Sequence, residues 1–496
     1  MISKIDSYAE NTLGIPTLTL MHRSGEAVAR AVREVTPMGA KVLILAGKGN
    51  NGGDGYAAAS LLLGEYDITV MDVFSAGQRS DAGNFFLSKY KELGGNIVAG
   101  VDEALVIEAS VIVDAIFGTG FSGEVSEQIK VLSSLIRRSH ARKIAVDVPL
   151  GVNADDGTLA DYAISVDTTV ALSYVKPGLL SYPARANTGR IILDTLGLDR
   201  AKIAENFEFK NFAADESFAR AYLPEREANS NKGSFGKVLL IAGSDKYRGA
   251  AHLSLEAALR GGAGLVTYLG EEGLCTELRM KYPEAIYEQT DIDDEQSREK
   301  IIDLSKKHRA TLIGSGSGMS ERLAELVSEL LSADGGALVL DADAINSLAA
   351  YGDISALKSS KRKVILTPHP LEFARLSGYD VTYIQSHRIE CAKSFASENG
   401  CILVLKGAAT LITDGDELYI NTSGSSALAK AGSGDVLAGL ILSLLGFMDA
   451  GPVCAALAVY LHGTAGDNLT KILSSYGVTP SDLPREIARA ISEFER

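Results

Sequence analysis

The sequence predicts an α/β protein built of two units, each a largely parallel sheet flanked by helices. Three observations carry that reading. Short runs of Val, Ile, Leu and Ala alternate with longer amphipathic segments in both halves, and such alternation calls for parallel strands joined by right-handed crossovers. Among 496 residues there are 50 glycines and no tryptophan, and 46% of the chain is apolar but only 6% aromatic, which suits small aliphatic cores and many tight turns. The pattern also lapses once, between about residues 198 and 236, where charged residues, Pro224 and an Asn/Ser/Gly cluster mark a connection. Domains are therefore expected at 1–205 and 231–496, with 206–230 between them holding at most an edge strand or a short helix.

In the first half the expected strands are 42–46, 68–73, 111–115, 144–148, 168–172 and 190–193, with helices at 54–63, 81–93 and 128–139. In the second half they are 238–243, 265–269, 311–314, 337–340, 364–367, 402–406 and 410–413, with a helix at 253–260. Ligands of such sheets bind at the carboxyl ends of the strands, so the loops after each strand are where chemistry is sought.

The formal net charge of −15 argues against general nucleic-acid or anionic-membrane binding, while leaving room for a local phosphate site. Cys275, Cys391, Cys401 and Cys454 have no metal-ligand spacing and read as small buried thiols. The first fifteen residues lack a basic-then-apolar leader pattern, and the longest apolar run, 436–447, is interrupted by Gly439 and Gly446. A cytoplasmic enzyme without a membrane partner is expected.

After the first strand, Gly47, Gly49 and Gly52 satisfy G-x-G-x-x-G, and Asp72 follows at the end of the next strand. That is the spacing of a dinucleotide loop, and alone it would suggest hydride transfer; a tight turn without a ligand has the same pattern. Two later strand ends carry carboxylates before glycine loops, Asp114 in VDAIFGTG and Asp147 in VDVPLG. Together with Asn51 they offer hard oxygen ligands toward one crevice, or caps for the following turns.

In the second half, Gly432-Ser433-Gly434 stands directly before Asp435 and an apolar helical run. Unpaired N–H groups at a helix start attract anions, and a carboxylate beside them is either a simple N-cap or a base for a hydroxyl attacking a phosphoryl group. Three other signals accompany it in order: two lysines around the KGSFGK turn at 232–237, His369 between prolines in LTPHPLE, and Lys406 opening KGAAT.

Residues 5–198 resemble the NAD(P)H-hydrate epimerase family, the apolipoprotein A-I-binding-protein-like fold, through NNGGDG, VDAIFGTGFSG and VDVPLGV. The resemblance implies a Rossmann-like three-layer α/β/α sandwich. It implies that Asn50, Asn51, Gly52, Gly53, Asp54, Gly118, Thr119, Gly120, Phe121, Ser122 and Gly123 line the hydrated dinucleotide. Asp147 would contact the hydrated ring as acid/base, and potassium would sit on Asn51, Asp114 and the backbone of Leu150. Leu150 departs from the serine usual there, and residues 20–25 depart from the family's first helix.

Residues 205–496 resemble the ADP- or ATP-dependent NAD(P)H-hydrate dehydratases of the ribokinase-like superfamily, through KGSFGKVLLIAGS, GGAGLVT, LTPHP-x-E, LKGAAT and AGSGDVLAG. The resemblance implies a ribokinase-like α/β/α domain. Lys406, Gly407, Ala408, Ala409, Thr410 and Gly434 would hold ADP or ATP with Mg2+. Ala250, Gly316, His369 and Asp435 would contact the hydrated dinucleotide, with Asp435 as the base. Ser315 stands where that family prefers proline. A homo-oligomer is expected. The competing reading is a ribokinase-like small-molecule kinase carrying a non-catalytic Rossmann-like module.

Overall fold

The computed structural model describes residues 2–74, 79–121, 123–290 and 294–495. The chain divides into two units, Met1–Phe209 and Lys210–Arg496.

The first unit is a seven-stranded parallel sheet built of β1 (Lys41–Ala46), β2 (Asp67–Asp72), β3 (Asn96–Ala99), β4 (Val111–Ala115), β5 (Arg142–Val146), β6 (Thr168–Leu172) and β7 (Arg190–Asp194). Its strand order is β3-β2-β1-β4-β5-β6-β7. The chain runs outward from β1 to β3 and then returns to lay β4 on the other side of β1, with Ala46 paired to Ala115. Loops leaving β1 and β4 therefore diverge to opposite faces and open a crevice at their carboxyl ends. Val111–Ala115 and Thr168–Leu172 are buried at every position, as strands covered on both faces must be.

The second unit holds β8 (Asn211–Ala214), β9 (Lys237–Ile241), β10 (Leu265–Gly270), β11 (Ile286–Gln289), β12 (Ala310–Ile313), β13 (Ala337–Leu340), β14 (Val364–Leu366), β15 (Ile402–Leu405), β16 (Leu411–Thr413) and β17 (Leu418–Asn421). The order is β11-β10-β9-β12-β13-β14-β15-β16-β17-β8, so the same reversal recurs between β9 and β12. Not every strand is parallel. β16 runs antiparallel to both β15 and β17, which makes residues 406–410 the turn of a hairpin. The segment 206–230 supplies edge strand β8, parallel to β17, and the helix Glu216–Tyr222.

The glycines after β1 differ most from the sequence reading. The helix begins at Asn50 and runs to Leu62, so Gly52, Gly53 and Gly55 lie inside it. A Cβ on Gly52 would stand 2.0 Å from the Gly47 carbonyl oxygen, and one on Gly47 would stand 1.9 Å from that of Ile116. Contact between the helix and the sheet, rather than a wide phosphate loop, is what demands glycine there.

Candidate functional site

Both crevices are lined by strand-end residues. In the first unit a cleft of about 610 Å³ is bounded by Lys48–Asn51 and Asp54, by Ile116–Phe121, by Asp147, by Leu172, Ser173 and Lys176, and by the amino-terminal helices at Asp6, Glu10, Thr17, Leu20 and Ser24. The first turn of helix Asn50–Leu62 opens into it with unpaired backbone N–H groups. The Asn51 amide donates to the Phe117 carbonyl oxygen at 2.8 Å, tying that helix start to the loop after β4. Phe117 and Phe121 stack there with ring centroids 3.8 Å apart.

Of the expected residues, Asn50, Asn51, Asp54, Gly118, Thr119, Gly120, Phe121 and Asp147 line this cleft. Gly52 and Gly53 do not; they face Gly47 and Met21 in the packing of the helix. Gly123 stands outside the lining, and Ser122 lies outside the described residues. Asp72 is also away from the cleft. Its carboxylate takes the Arg79 guanidinium at 2.5 Å on each oxygen, so it is not placed to read a ribose.

Asp114 is buried, with Oδ1 accepting from the Ile116 N–H at 3.2 Å and Oδ2 from the Leu150 N–H at 2.7 Å. Burial pushes its carboxyl up to about 6 against the pull of those two bonds. The Leu150 carbonyl accepts from Ile164 at 3.0 Å, and its side chain packs with Ile116 and Ile164.

Asp147 sits directly after β5 with φ 68°, a conformation that side chains adopt at a cost. Lys176, buried after β6, forms an ion pair with its Oδ1, and the Leu172 N–H donates to the same oxygen at 3.2 Å. Sequence reading missed Lys176. It follows the end of a strand in SYVKPG, and the strand-end rule that singled out Asp114 and Asp147 would have found it. No comparable signal marks Asp6 or Glu10, which the helix Ile2–Asn11 brings in from outside the sheet.

In the second unit a cleft of about 450 Å³ is lined by Lys246, Tyr247, Gly249, Ala250, Leu253, Gly316, Asp343, Ala431, Gly432 and Asp435. Ala250 and Gly316 touch, since a Cβ on Gly316 would stand 2.6 Å from that of Ala250. Gly432 caps helix Ser433–Leu444 with φ 103°, and Asp435 stands in the first turn. Beside it the Lys406 amine meets Asp341 Oδ1 at 3.2 Å and Glu372 Oε2 at 3.9 Å. A Cβ on Gly434 would stand 3.2 Å from that amine, so Lys406 lies against the glycine turn.

Electrostatics follow from this crowding. Burial pushes the Asp435 carboxyl up to about 7, and the charges of Asp341, Asp343 and Glu372 add to the rise while Lys406 opposes it. Burial works against the Lys406 ammonium too, yet Asp341 and Glu372 hold it above its ordinary value. Asp341 is fixed by Ser315 Oγ at 2.8 Å and Thr367 Oγ1 at 2.7 Å. It is a strand-end aspartate of the kind sought in the first half and passed over here.

Two expected groups are placed differently. His369 caps helix Pro370–Ser377, its Nδ1 accepting from Leu371 and Glu372 N–H groups at 3.1 and 3.2 Å and its Nε2 lying 3.1 Å from Glu372 Oε1. It reaches the cluster through Glu372. The turn at 232–237 precedes β9, so Lys232 and Lys237 stand at the amino ends of the parallel strands, the rim opposite Asp435. The turn 406–410 is instead braced from beneath by buried Arg388, which donates to the Leu405 carbonyl at 3.2 Å.

A family model described as NAD(P)H-hydrate dehydratase matches residues 238–489, and one described as YjeF-related protein N-terminus matches residues 17–178. The chain is 33% identical to the bifunctional NAD(P)H-hydrate repair enzyme Nnr of Moorella thermoacetica, over 97% of this chain and 94% of that one. It is 33% identical to the protein of the same name from Escherichia coli K12, over 98% and 91%. Among solved structures, an ADP/ATP-dependent NAD(P)H-hydrate dehydratase from Bacillus subtilis, co-crystallized with ATP and Mg2+, is 35% identical with a TM-score of 0.51, covering 57% of this chain and 99% of that one. A ribokinase-like superfamily protein from Enterococcus faecalis is 26% identical with a TM-score of 0.52, over 58% and 98%.

Proposed function

The chain belongs to the family of bifunctional NAD(P)H-hydrate repair enzymes, an epimerase half joined to a dehydratase half, and from that premise we propose how its residues divide the work. The first unit interconverts the R and S hydrates of NAD(P)H in the cleft beside Asp147. The second dehydrates the S form at Asp435, using ADP or ATP and releasing AMP or ADP with phosphate.

The observation that carries the second assignment is the position of Asp435, a carboxyl brought to about 7 at a helix N-terminus and next to Lys406. A group near neutral pH is matched to taking a proton from a hydroxyl. The hydrated ring carries such a hydroxyl, and hydroxide leaves poorly. Asp435 removes its proton and the oxygen attacks the terminal phosphoryl group, expelling AMP or ADP. Phosphate then departs with the C–O bonding pair as the ring nitrogen donates its electron pair, and loss of a proton from the neighbouring ring carbon restores the C=C bond. Lys406 and the N–H groups of the 432–434 turn stabilise the phosphoryl oxygens. Residues 406–410 and Gly434 hold the nucleotide, while Ala250 and Gly316 shape the floor for the dinucleotide, with His369 at its edge.

Mg2+ fits this acidic surplus, in which Asp341, Asp343, Glu372 and Asp435 cluster around Lys406. Among the described residues no three His, Cys, Asp or Glu side chains converge closely enough to hold an ion alone. Phosphate oxygens would complete its shell, as is usual for this ion, and when bound it neutralises charge on the transferring group. In the first unit Asp114 is a buried carboxylate with no cationic side chain against it among the described residues, which suits potassium. Among the described residues Asn51 commits its amide nitrogen alone, so its oxygen and the Asp114 carboxylate would hold that ion; Leu150 offers a carbonyl already bonded to Ile164.

Purified S hydrate with Mg2+ and ADP or ATP tests the second assignment. NAD(P)H and phosphate should appear in equal amounts. Accumulation of a stable phosphorylated product would instead make the second unit a kinase.

A further inference from the structure

The cleft of the first unit holds a second carboxyl group that differs from Asp147 in what surrounds it. Asp147 has a cation in contact, since Lys176 pairs with its Oδ1 and also donates to the Leu172 carbonyl at 2.8 Å. The Leu172 N–H falls on the same Oδ1, which leaves Oδ2 for a ligand. Asp54, on helix Asn50–Leu62, lines the same cleft and is equally buried. No cation pairs with it among the described residues; its polar neighbour is the Ser24 hydroxyl. The other charged groups acting on it are Asp147, Asp6 from helix Ile2–Asn11, and more weakly Lys176. Burial and the Asp147 charge hold Asp54 well above the usual carboxylate range. A buried carboxyl with no cation against it, beside one paired with a lysine in the same cleft, is placed to act as acid to the other's base.

We propose, resting on the epimerase reading above, that Asp54 is the catalytic acid opposed to Asp147 as base, and that Lys176 is the positioning residue which fixes Asp147. Asp54 gives its proton to the hydroxyl on the ring carbon next to nitrogen. The C–O bond breaks, water leaves with the bonding pair, and the nitrogen lone pair closes a C=N bond. Water then adds to the opposite face, its proton passes to Asp147 Oδ2, and the C=N pair returns to nitrogen. The elements of water leave and return, no oxidation occurs, and the proton moves back from Asp147 to Asp54 through cleft water before the next turnover.

The experiment follows conversion of purified R hydrate to S hydrate by the full-length chain. Asp54→Asn keeps the shape but has no carboxyl proton to give, so kcat should fall about 10²–10⁴-fold with KM little changed. Lys176→Met should also lower kcat rather than raise KM, and Lys176→Arg should restore much of the loss. Unchanged kcat in Asp54→Asn, or a change confined to KM, overturns the acid role. An Arg variant no better than Met overturns the positioning role. Failure of the unaltered chain to convert R to S would instead count against the epimerase reading on which the proposal stands.

Discussion

Asp435→Asn should strengthen the second unit at about pH 8 while abolishing most of its dehydration. In the unfolded chain a carboxyl titrates near 3.8, and in the fold this one is brought to about 7. A raised value means that the folded state holds the proton more tightly. The stabilisation tied to this group is thus fully present below pH 3.8 and is lost as pH climbs from there through about 7. At about 1.4 kcal/mol per pH unit the full loss is ~4 kcal/mol, and partial solvent access to the group reduces it to about 2–4 kcal/mol. Asparagine carries no charge at either pH and keeps nearly the same shape. The unfolding midpoint of the second unit should therefore rise by roughly 3–7 °C at about pH 8. Near pH 4 the two proteins should converge. The assay is thermal unfolding at both pH values, followed with a probe specific to each unit because two units need not melt together. An equal or lower midpoint for the variant at about pH 8 would refute the reasoning, since the carboxylate would then stabilise its surroundings.

Other consequences are open to direct test. Dehydration by the unaltered chain should fall about tenfold per pH unit below pH about 7, as Asp435 takes up its proton; a rate flat from about pH 5 to 8 would exclude it as the base. Gly47→Ala places a methyl group 1.9 Å from the Ile116 carbonyl oxygen and should cost about 3 kcal/mol of first-unit stability in urea unfolding. Asp72→Asn leaves Arg79 without its buried partner and should destabilise the first unit by about 3 kcal/mol. The same variant should not alter preference between NADH and NADPH hydrates, because Asp72 stands outside the cleft.

Much of this architecture was legible because the inner strands are continuous apolar runs. Val111–Ala115, Thr168–Leu172 and Ala337–Leu340 appear at the residues expected. Short edge strands were not: Asn96–Ala99 and Ile286–Gln289 are only half buried and carry no apolar run long enough to stand out. The antiparallel β16 was read as part of a parallel repeat and β17 was not read as a strand, since strand direction is set by pairing and leaves no mark in so short a segment. Motif position misled in one place. KGSFGK precedes its strand, and a parallel sheet then puts its lysines on the rim away from the chemistry. Asp435, Lys406 and Asp147 were legible from local pattern. Asp341 and Lys176 follow strand ends and carried the same signal unread, whereas Arg388 carried none, because it acquires meaning only from the Leu405 carbonyl it supports.

The most direct test of two activities on one chain is recovery of the near-ultraviolet absorbance of the reduced nicotinamide from a mixed R and S hydrate of NADH, with Mg2+, potassium and ADP or ATP present. The account predicts complete recovery, at a rate faster than the hydrates interconvert unaided. Recovery that stops at the S fraction and then creeps at the spontaneous rate would contradict it, leaving a dehydratase joined to a unit that does not epimerise.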